Sequence, residues 1–189
     1  MTRVALLRHY PTDWNGEARL QGQTDRPLTE AARETLRGLR LPPAWEGVPI
    51  ITSALSRTVE TARLLGCEPQ RQDPRLNEVS WGAWEGHRAA DLLADPASGF
   101  RPTAEMGWRD RPPGGESMAD AWGRIQPALA EIDGPAVLVL HKAVMRIILG
   151  TASAWREMPE IKRGRLYPLV LRPSGLPVSP EPAIRLVPR

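Results

Sequence analysis

The chain has 189 residues, 41% hydrophobic and 25% charged, with a formal net charge of +3, which leaves room for one domain with a substantial core; a single cysteine, Cys67, excludes an internal disulfide and a cysteine-cluster metal site. The basic residues are nearly all arginine and lie scattered rather than in runs with aromatics, which argues against a nucleic-acid surface and favours small anionic ligands. No apolar run approaches the ~20 residues of a membrane span, and "MTRVALLRHY" lacks the apolar core and cleavage site of a secretion signal, so a cytoplasmic protein without a membrane partner is expected.

Residues 3–7 form a short apolar strand that runs into Arg8 and His9, followed by a loop rich in Gly, Asp and Asn to about residue 27. Leu28, Ala32, Leu36 and Leu39 recur at helical spacing behind Thr29 as N-cap, and "LPP" at 41–43 ends that helix. A second strand is expected at 48–53 and a second helix over 55–66, with Arg57 in its first turn and Gly66 as its stop. Residues 67–116 are less regular and read as a long excursion holding one or two short helices, with a small cap-like portion around 79–116. Met118, Ala121, Ile125, Leu129 and Ile132 mark a third helix, which Pro127 is expected to kink. "PAVLVLH" is a third strand ending in His141, "AVMRIILG" begins a helix, and "LYPLVLRP" and "AIRLVP" are candidates to pair at the C-terminal edge. Near-continuous apolar strands between amphipathic helices, with no internal repeat, predict an α/β three-layer sandwich over residues 1–189. Its central sheet is mostly parallel, with helices on both faces.

Two of the three histidines, His9 and His141, follow predicted strands, and the C-terminal ends of parallel strands form the edge where ligands bind. His87 lies in the irregular middle and reads as a surface histidine. Arg57, at a helix N-terminus, adds a planar fork and a partial positive charge, so Arg8, His9, Arg57 and His141 together suit a tetrahedral dianion.

The order of these blocks resembles the histidine phosphatase superfamily, the phosphatase branch of the phosphoglycerate mutase-like proteins. "LLRHYPTDWNGEARLQGQTDRPLTEAAR", "SALSRTVETARLL", "LNEVSWGAWEG" with "PGGES" after it, and "VLVLHKAVMRIIL" match its blocks in order over roughly residues 3–150. The resemblance implies His9 as nucleophile and a phosphate pocket of Arg8, Asn15, Arg57 and His141. It also implies Glu78 as general acid, with Glu85 the competitor for that role. It further implies phosphomonoester hydrolysis through a phosphohistidine, with neither metal nor cofactor. The substrate is then a small phosphorylated molecule such as a sugar phosphate, a phosphoglycerate, a nucleotide-precursor phosphate or a phosphoprotein. Two alternatives stand beside it: a mutase-type phosphotransferase, and a weakly catalytic member that binds phospho-ligands. The short segment between Glu78 and Glu116 offers little to cap the site, which favours water as acceptor. Tyr10 stands where the family has glycine after the nucleophile, and Lys142 and Ala143 replace a Gly-Gly pair; Tyr10 and Lys142 are therefore auxiliary candidates, at a cost of ~1–3 kcal/mol if the backbone needs glycine there. The oligomeric state is left open between monomer and homodimer.

Overall fold

The computed structural model describes residues 1–157 and 160–189, with backbone alone at 151–154. Its central sheet collects β1 (Thr2–Arg8), β3 (Ile50–Thr52), β4 (Arg71–Gln72), β5 (Ala136–Leu140), β6 (Arg165–Leu171), β7 (Pro177–Val178) and β8 (Ile184–Arg185). Their order is β4-β3-β5-β1-β6-β7, with β8 also pairing β6. β4, β3, β5 and β1 run parallel, while β6 is antiparallel to β1. β2 (Leu39–Arg40) and β9 (Val187–Pro188) form a separate antiparallel pair.

Strand alternation divides the interior into two cores. Val4, Leu6, Leu138 and Leu140 face one side, where α5 (Met118–Ala130) and α6 (Lys142–Ala154) bury Ile125, Leu129, Val144 and Ile148. Ala5, Leu7, Val137 and Val139 face the other, covered by Ala32 and Leu36 of α2 (Glu30–Arg37) and Ala62 of α3 (Ser56–Leu64). A sheet buried on both faces explains why its strands read as unbroken apolar runs.

Several boundaries differ from the sequence reading. α2 stops at Gly38, so Leu39 leaves the expected helix and joins β2; Thr29 caps α2 as expected, its side chain accepting from the Ala32 amide. The second strand shrinks to Ile50–Thr52. Residues 67–116 hold a strand, β4, as well as one short α-helix, α4 (Ala89–Ala94), and several single turns of 3₁₀ helix. "AIRLVP" divides between two sheets: β8 pairs β6 as expected, and β9 turns away to β2. α5 is a single helix across Pro127. The carbonyl that Pro127 deprives of a donor belongs to exposed Gly123, where solvent reaches it.

The "PGG" loop is stitched onto the segment after Glu78, with the Ala83 amide donating to the Pro113 carbonyl and the Glu116 amide to the Ser80 carbonyl, both at 2.9 Å. Gly82 has φ +52°, and a Cβ there would overlap the Pro113 carbonyl oxygen and the Gly115 nitrogen. Gly82→Ala is therefore expected to destabilise the protein by at least the ~1–3 kcal/mol of backbone strain. Gly123→Ala, in an exposed helix interior with open space for a Cβ, is expected to stabilise it by ~0.5–1 kcal/mol. Thermal denaturation of the pair checks both signs; equal shifts would refute this reading of the Gly82 contact.

Candidate functional site

The register of β1 on β5 pairs Arg8 with Leu140, so the residues after both strands emerge level with each other. The His9 amide donates to the Leu140 carbonyl at 2.9 Å, and Thr52 of β3 pairs with Val139, bringing Ser53 to the same edge. His9 and His141 are buried there with ring centroids 5.2 Å apart. The His9 Nδ1 lies 2.7 Å from the Tyr10 carbonyl oxygen. A carbonyl only accepts, so Nδ1 carries the proton and the neutral ring keeps its lone pair on Nε2. Burial first, then the charges of Arg57, Arg163 and Arg8, hold the His9 pKa well below the ordinary histidine value against the opposing pull of the Tyr10 carbonyl.

Arg57 is only 1% exposed. Its Nε donates to His141 Nδ1 at 3.2 Å, Nη1 to the Thr24 carbonyl at 3.1 Å and Nη2 to the Gly22 carbonyl at 2.6 Å. His141 Nδ1 is thus the acceptor, and its Nε2–H donates to Ser53 Oγ at 2.8 Å. Both His141 nitrogens are engaged by protein, and neither His141 nor Arg57 lines the adjoining cleft. The N-terminus of α3 is also filled from within: the Ser56 amide donates to the Asp25 carboxylate at 3.0 Å, so the anion expected at that helix end is a side chain.

The helix end that faces the cleft is that of α6, and it holds Glu78. Glu78 Oε1 accepts from the Val79 amide at 2.9 Å and the Val144 amide at 3.2 Å, and Oε2 from the Ala143 amide at 3.2 Å. Burial pushes the Glu78 pKa up, and these amides with Arg57 only partly oppose it. Glu85 does not line the cleft. Its carboxylate accepts from the amides of Gln23, Thr24 and Trp81 and from the Thr24 hydroxyl, securing the loop whose carbonyls hold Arg57.

The residues standing in for the family's glycines fit without strain. Among described non-glycine residues only Ala18 and Ser179 have positive φ, so Tyr10, Lys142 and Ala143 do not need glycine's freedom. Tyr10 is buried in the core over α2 with its hydroxyl against Gly164, and it does not plug the cleft. Lys142 opens α6 rather than continuing an extended strand. It lines the cleft, its ammonium 3.8 Å from Glu160. His87 is exposed, as expected.

The cleft encloses about 420 Å³. Among the described residues Arg8, Arg19, Lys142, Arg146 and Arg163 line it against one carboxylate, Glu78, with Trp81 and Leu20 as apolar wall. Asn15 Oδ1 accepts from the Thr12 amide at 3.1 Å and from Arg163 Nη2 at 2.9 Å, so the Asn15 amide keeps its two N–H donors for other partners. Arg163 also donates through Nε to the His9 carbonyl at 3.1 Å, and burial beside Arg8 lowers its pKa to about 10. Sequence reasoning missed Arg163 among many arginines. A usable signal existed: an antiparallel neighbour of β1 begins where β1 ends, as the pairing of Leu7 with Leu166 shows.

A family model described as the histidine phosphatase superfamily (branch 1) matches residues 4–166. The chain belongs to the histidine phosphatase superfamily. Members are phosphatases and mutases that use phosphohistidine chemistry on small phosphorylated substrates. This member is 42% identical over 137 residues to a probable phosphoglycerate mutase GpmB of Enterobacter sp. (strain 638), a match that covers 69% of this chain and 63% of that protein. It is 38% identical over 162 residues to the corresponding protein of Cronobacter sakazakii, covering 80% and 74%. The fold matches phosphoglycerate mutase from Thermus thermophilus with TM-score 0.73 at 30% identity, covering 95% and 98% of the two chains. It matches a mycobacterial glucosyl-3-phosphoglycerate phosphatase in complex with VO3 with TM-score 0.74 at 29% identity, covering 90% and 93%. Among the described residues no cluster of His, Cys, Asp and Glu is placed to hold a metal ion, and no helix is long and apolar enough to cross a membrane.

Arg163 supplies part of the field that keeps His9 of this superfamily member neutral. In Arg163→Met the His9 ring is expected to titrate at higher pH than in the wild type, where its midpoint lies well below 6.5. Imidazole NMR titration checks it, and an unchanged midpoint would contradict the assignment.

Proposed function

We propose that this protein is a phosphomonoester hydrolase working through a phosphohistidine on His9. The observation that carries the reading is the tautomer set by Tyr10: with Nδ1–H held by a carbonyl, the lone pair sits on Nε2 of a ring that lines the cationic cleft. In the first step the His9 Nε2–P bond forms and the bond from phosphorus to the ester oxygen breaks. The leaving oxygen takes its proton from the Glu78 carboxyl, whose raised pKa suits a donor. In the second step water attacks phosphorus as the Nε2–P bond breaks, the water's proton passes to the Glu78 carboxylate, and the electron pair returns to Nε2 to regenerate neutral His9. Arg8, Arg163 and the Asn15 amide stabilise charge on the equatorial oxygens, the main source of rate in phosphoryl transfer. Arg57 and His141 act behind His9; His141, with both ring nitrogens engaged, joins the phosphate only by releasing a hydrogen bond it makes to protein, whereas Arg57 keeps one N–H on each terminal nitrogen unspent.

Five cations against one carboxylate favour a phosphomonoester that carries a further negative group, such as a carboxylate, on its leaving part. Lys142 and Arg146, one helical turn apart on α6, suit that second anion. The mutase reading is favoured by the names of the GpmB relatives. Hydrolysis is favoured by the short excursion after Glu78, whose single α-helix, α4, leaves the cleft open to water.

A panel of phosphomonoesters with and without a carboxylate, assayed in parallel for inorganic phosphate and for positional isomerisation, separates these readings. The expected result is phosphate release, fastest with the carboxylated esters. Isomerisation without phosphate release would establish a mutase. On the best substrate His9→Ala is expected to lose several orders of magnitude in kcat/KM. Lys142→Ala, which removes a solvent-screened cation, is expected to lose no more than about tenfold.

A further inference from the structure

The peptide that carries Glu78 belongs to no helix or strand. It runs between the 3₁₀ turns Pro74–Leu76 and Gly82–Trp84, so no sheet ladder fixes its carbonyls. One side chain from α5 does so instead. Arg124 donates through Nη1 to the Arg75 carbonyl at 2.7 Å and the Asn77 carbonyl at 2.8 Å, and through Nη2 to the Glu78 carbonyl at 3.1 Å. Its Nε and Nη2 reach the two oxygens of Glu116, each at 2.8 Å. A guanidinium has five N–H donors, and all five are committed. Glu116 Oε2 in turn accepts from the Ser80 amide at 2.9 Å. The pair therefore grips the main chain on both sides of Glu78.

The grip has a firm base. Ser117, next to Glu116, caps α5: its hydroxyl accepts from the Asp120 amide at 3.1 Å, while the Asp120 carboxylate accepts from the Ser117 amide at 2.8 Å. The capping box sets where the helix starts and hence where Glu116 and Arg124 stand. Arg124 and Glu116 are mostly buried and do not line the cleft, so neither touches substrate.

We propose that the Arg124–Glu116 pair is the positioning device for the proton donor, fixing the Glu78 carboxyl at the leaving-group oxygen through the main chain. This rests on the reading of Glu78 as general acid. It also gives a function to the "PGGES" motif beyond shaping a pocket, since its glutamate is half of the clamp. Proton donation demands hydrogen-bond reach between acid and leaving oxygen, and a misplacement of ~1 Å can cost about a hundredfold. Phosphate binding and attack by His9 depend on other residues and are spared.

The leaving group separates positioning from mere stability. p-Nitrophenolate departs from phosphorus without a proton, whereas a simple alkoxide needs one. The second step is common to all esters, so the readout is the ratio of kcat/KM for an alkyl phosphate to kcat/KM for p-nitrophenyl phosphate, which reports the first step alone. It is measured for Glu116→Gln, Arg124→Lys, Arg124→Met and Glu78→Gln at a temperature where circular dichroism shows each variant folded. Glu78→Gln is expected to lower the ratio by about 10²–10⁴. Glu116→Gln and Arg124→Met are expected to lower it at least about tenfold, with kcat/KM for p-nitrophenyl phosphate within a few-fold of wild type. Arg124→Lys, with three donors on one nitrogen, is expected not to restore it. Should Arg124→Met fail to fold, the near-isosteric Glu116→Gln carries the test. A ratio changed by Glu78→Gln but unchanged by the clamp variants reduces the pair to a structural ion pair and overturns the inference. A ratio unchanged even in Glu78→Gln overturns the acid reading and the inference with it.

Discussion

The site is organised around one hydrogen bond, from His9 Nδ1–H to the carbonyl of Tyr10, the residue that follows it. That bond is local, and what makes it decisive is burial: an imidazole shielded from water and ringed by arginines is held neutral, and a neutral ring with one nitrogen protonated has one lone pair to offer. The backbone must then keep the Tyr10 carbonyl in place. The residue is anchored on either side of its Cα by its own amide, which donates to Thr61 Oγ1, and by its ring, packed in the core above α2. The tyrosine that replaces the family's glycine thus adds a packed anchor to the residue whose carbonyl orients the His9 ring.

Burying arginines around a neutral ring carries an electrostatic cost, and the fold meets it mostly with dipoles rather than with carboxylates. Arg57 is answered by two loop carbonyls, Arg8 by the Ile161 carbonyl at 2.9 Å, and Arg163 by the His9 carbonyl. Dipoles steady a guanidinium without cancelling its charge, so the cleft keeps a surplus of positive potential for an incoming anion. Glu85 belongs to the same scheme at one remove. It binds the loop from Gln23 to Thr24, the loop binds Arg57, and Arg57 fixes the tautomer of His141. Among the described residues Glu78 is the one carboxyl that lines the cleft, and burial weakens its hold on a negative charge.

Much of this was readable in the chain because strand ends and chemistry coincide. Apolar runs that stop at His9 and His141 announce a parallel sheet and the edge where both histidines gather, and of the two carboxylates the motif register weighs, Glu78 lines the cleft there and Glu85 does not. What escaped has physical reasons. β2, β4 and β9 have two residues each, too few for any periodicity, and their pairing is settled by neighbours distant in sequence. Arg163 and Arg124 are two arginines among many, distinguished only by which carbonyls lie within reach. The consequence of replacing three glycines depends on φ, which the backbone shows to be ordinary at all three positions.

The central claim is chemical and regiospecific: the phosphoryl group resides on His9, and on Nε2 rather than Nδ1. Rapid quenching under alkaline conditions during turnover, followed by phosphorus NMR and peptide mapping by mass spectrometry, reads both the residue and the ring nitrogen. The account predicts phosphohistidine substituted at Nε2 in the peptide containing His9, absent from His9→Ala. Substitution at Nδ1, or phosphate found on His141, would contradict it.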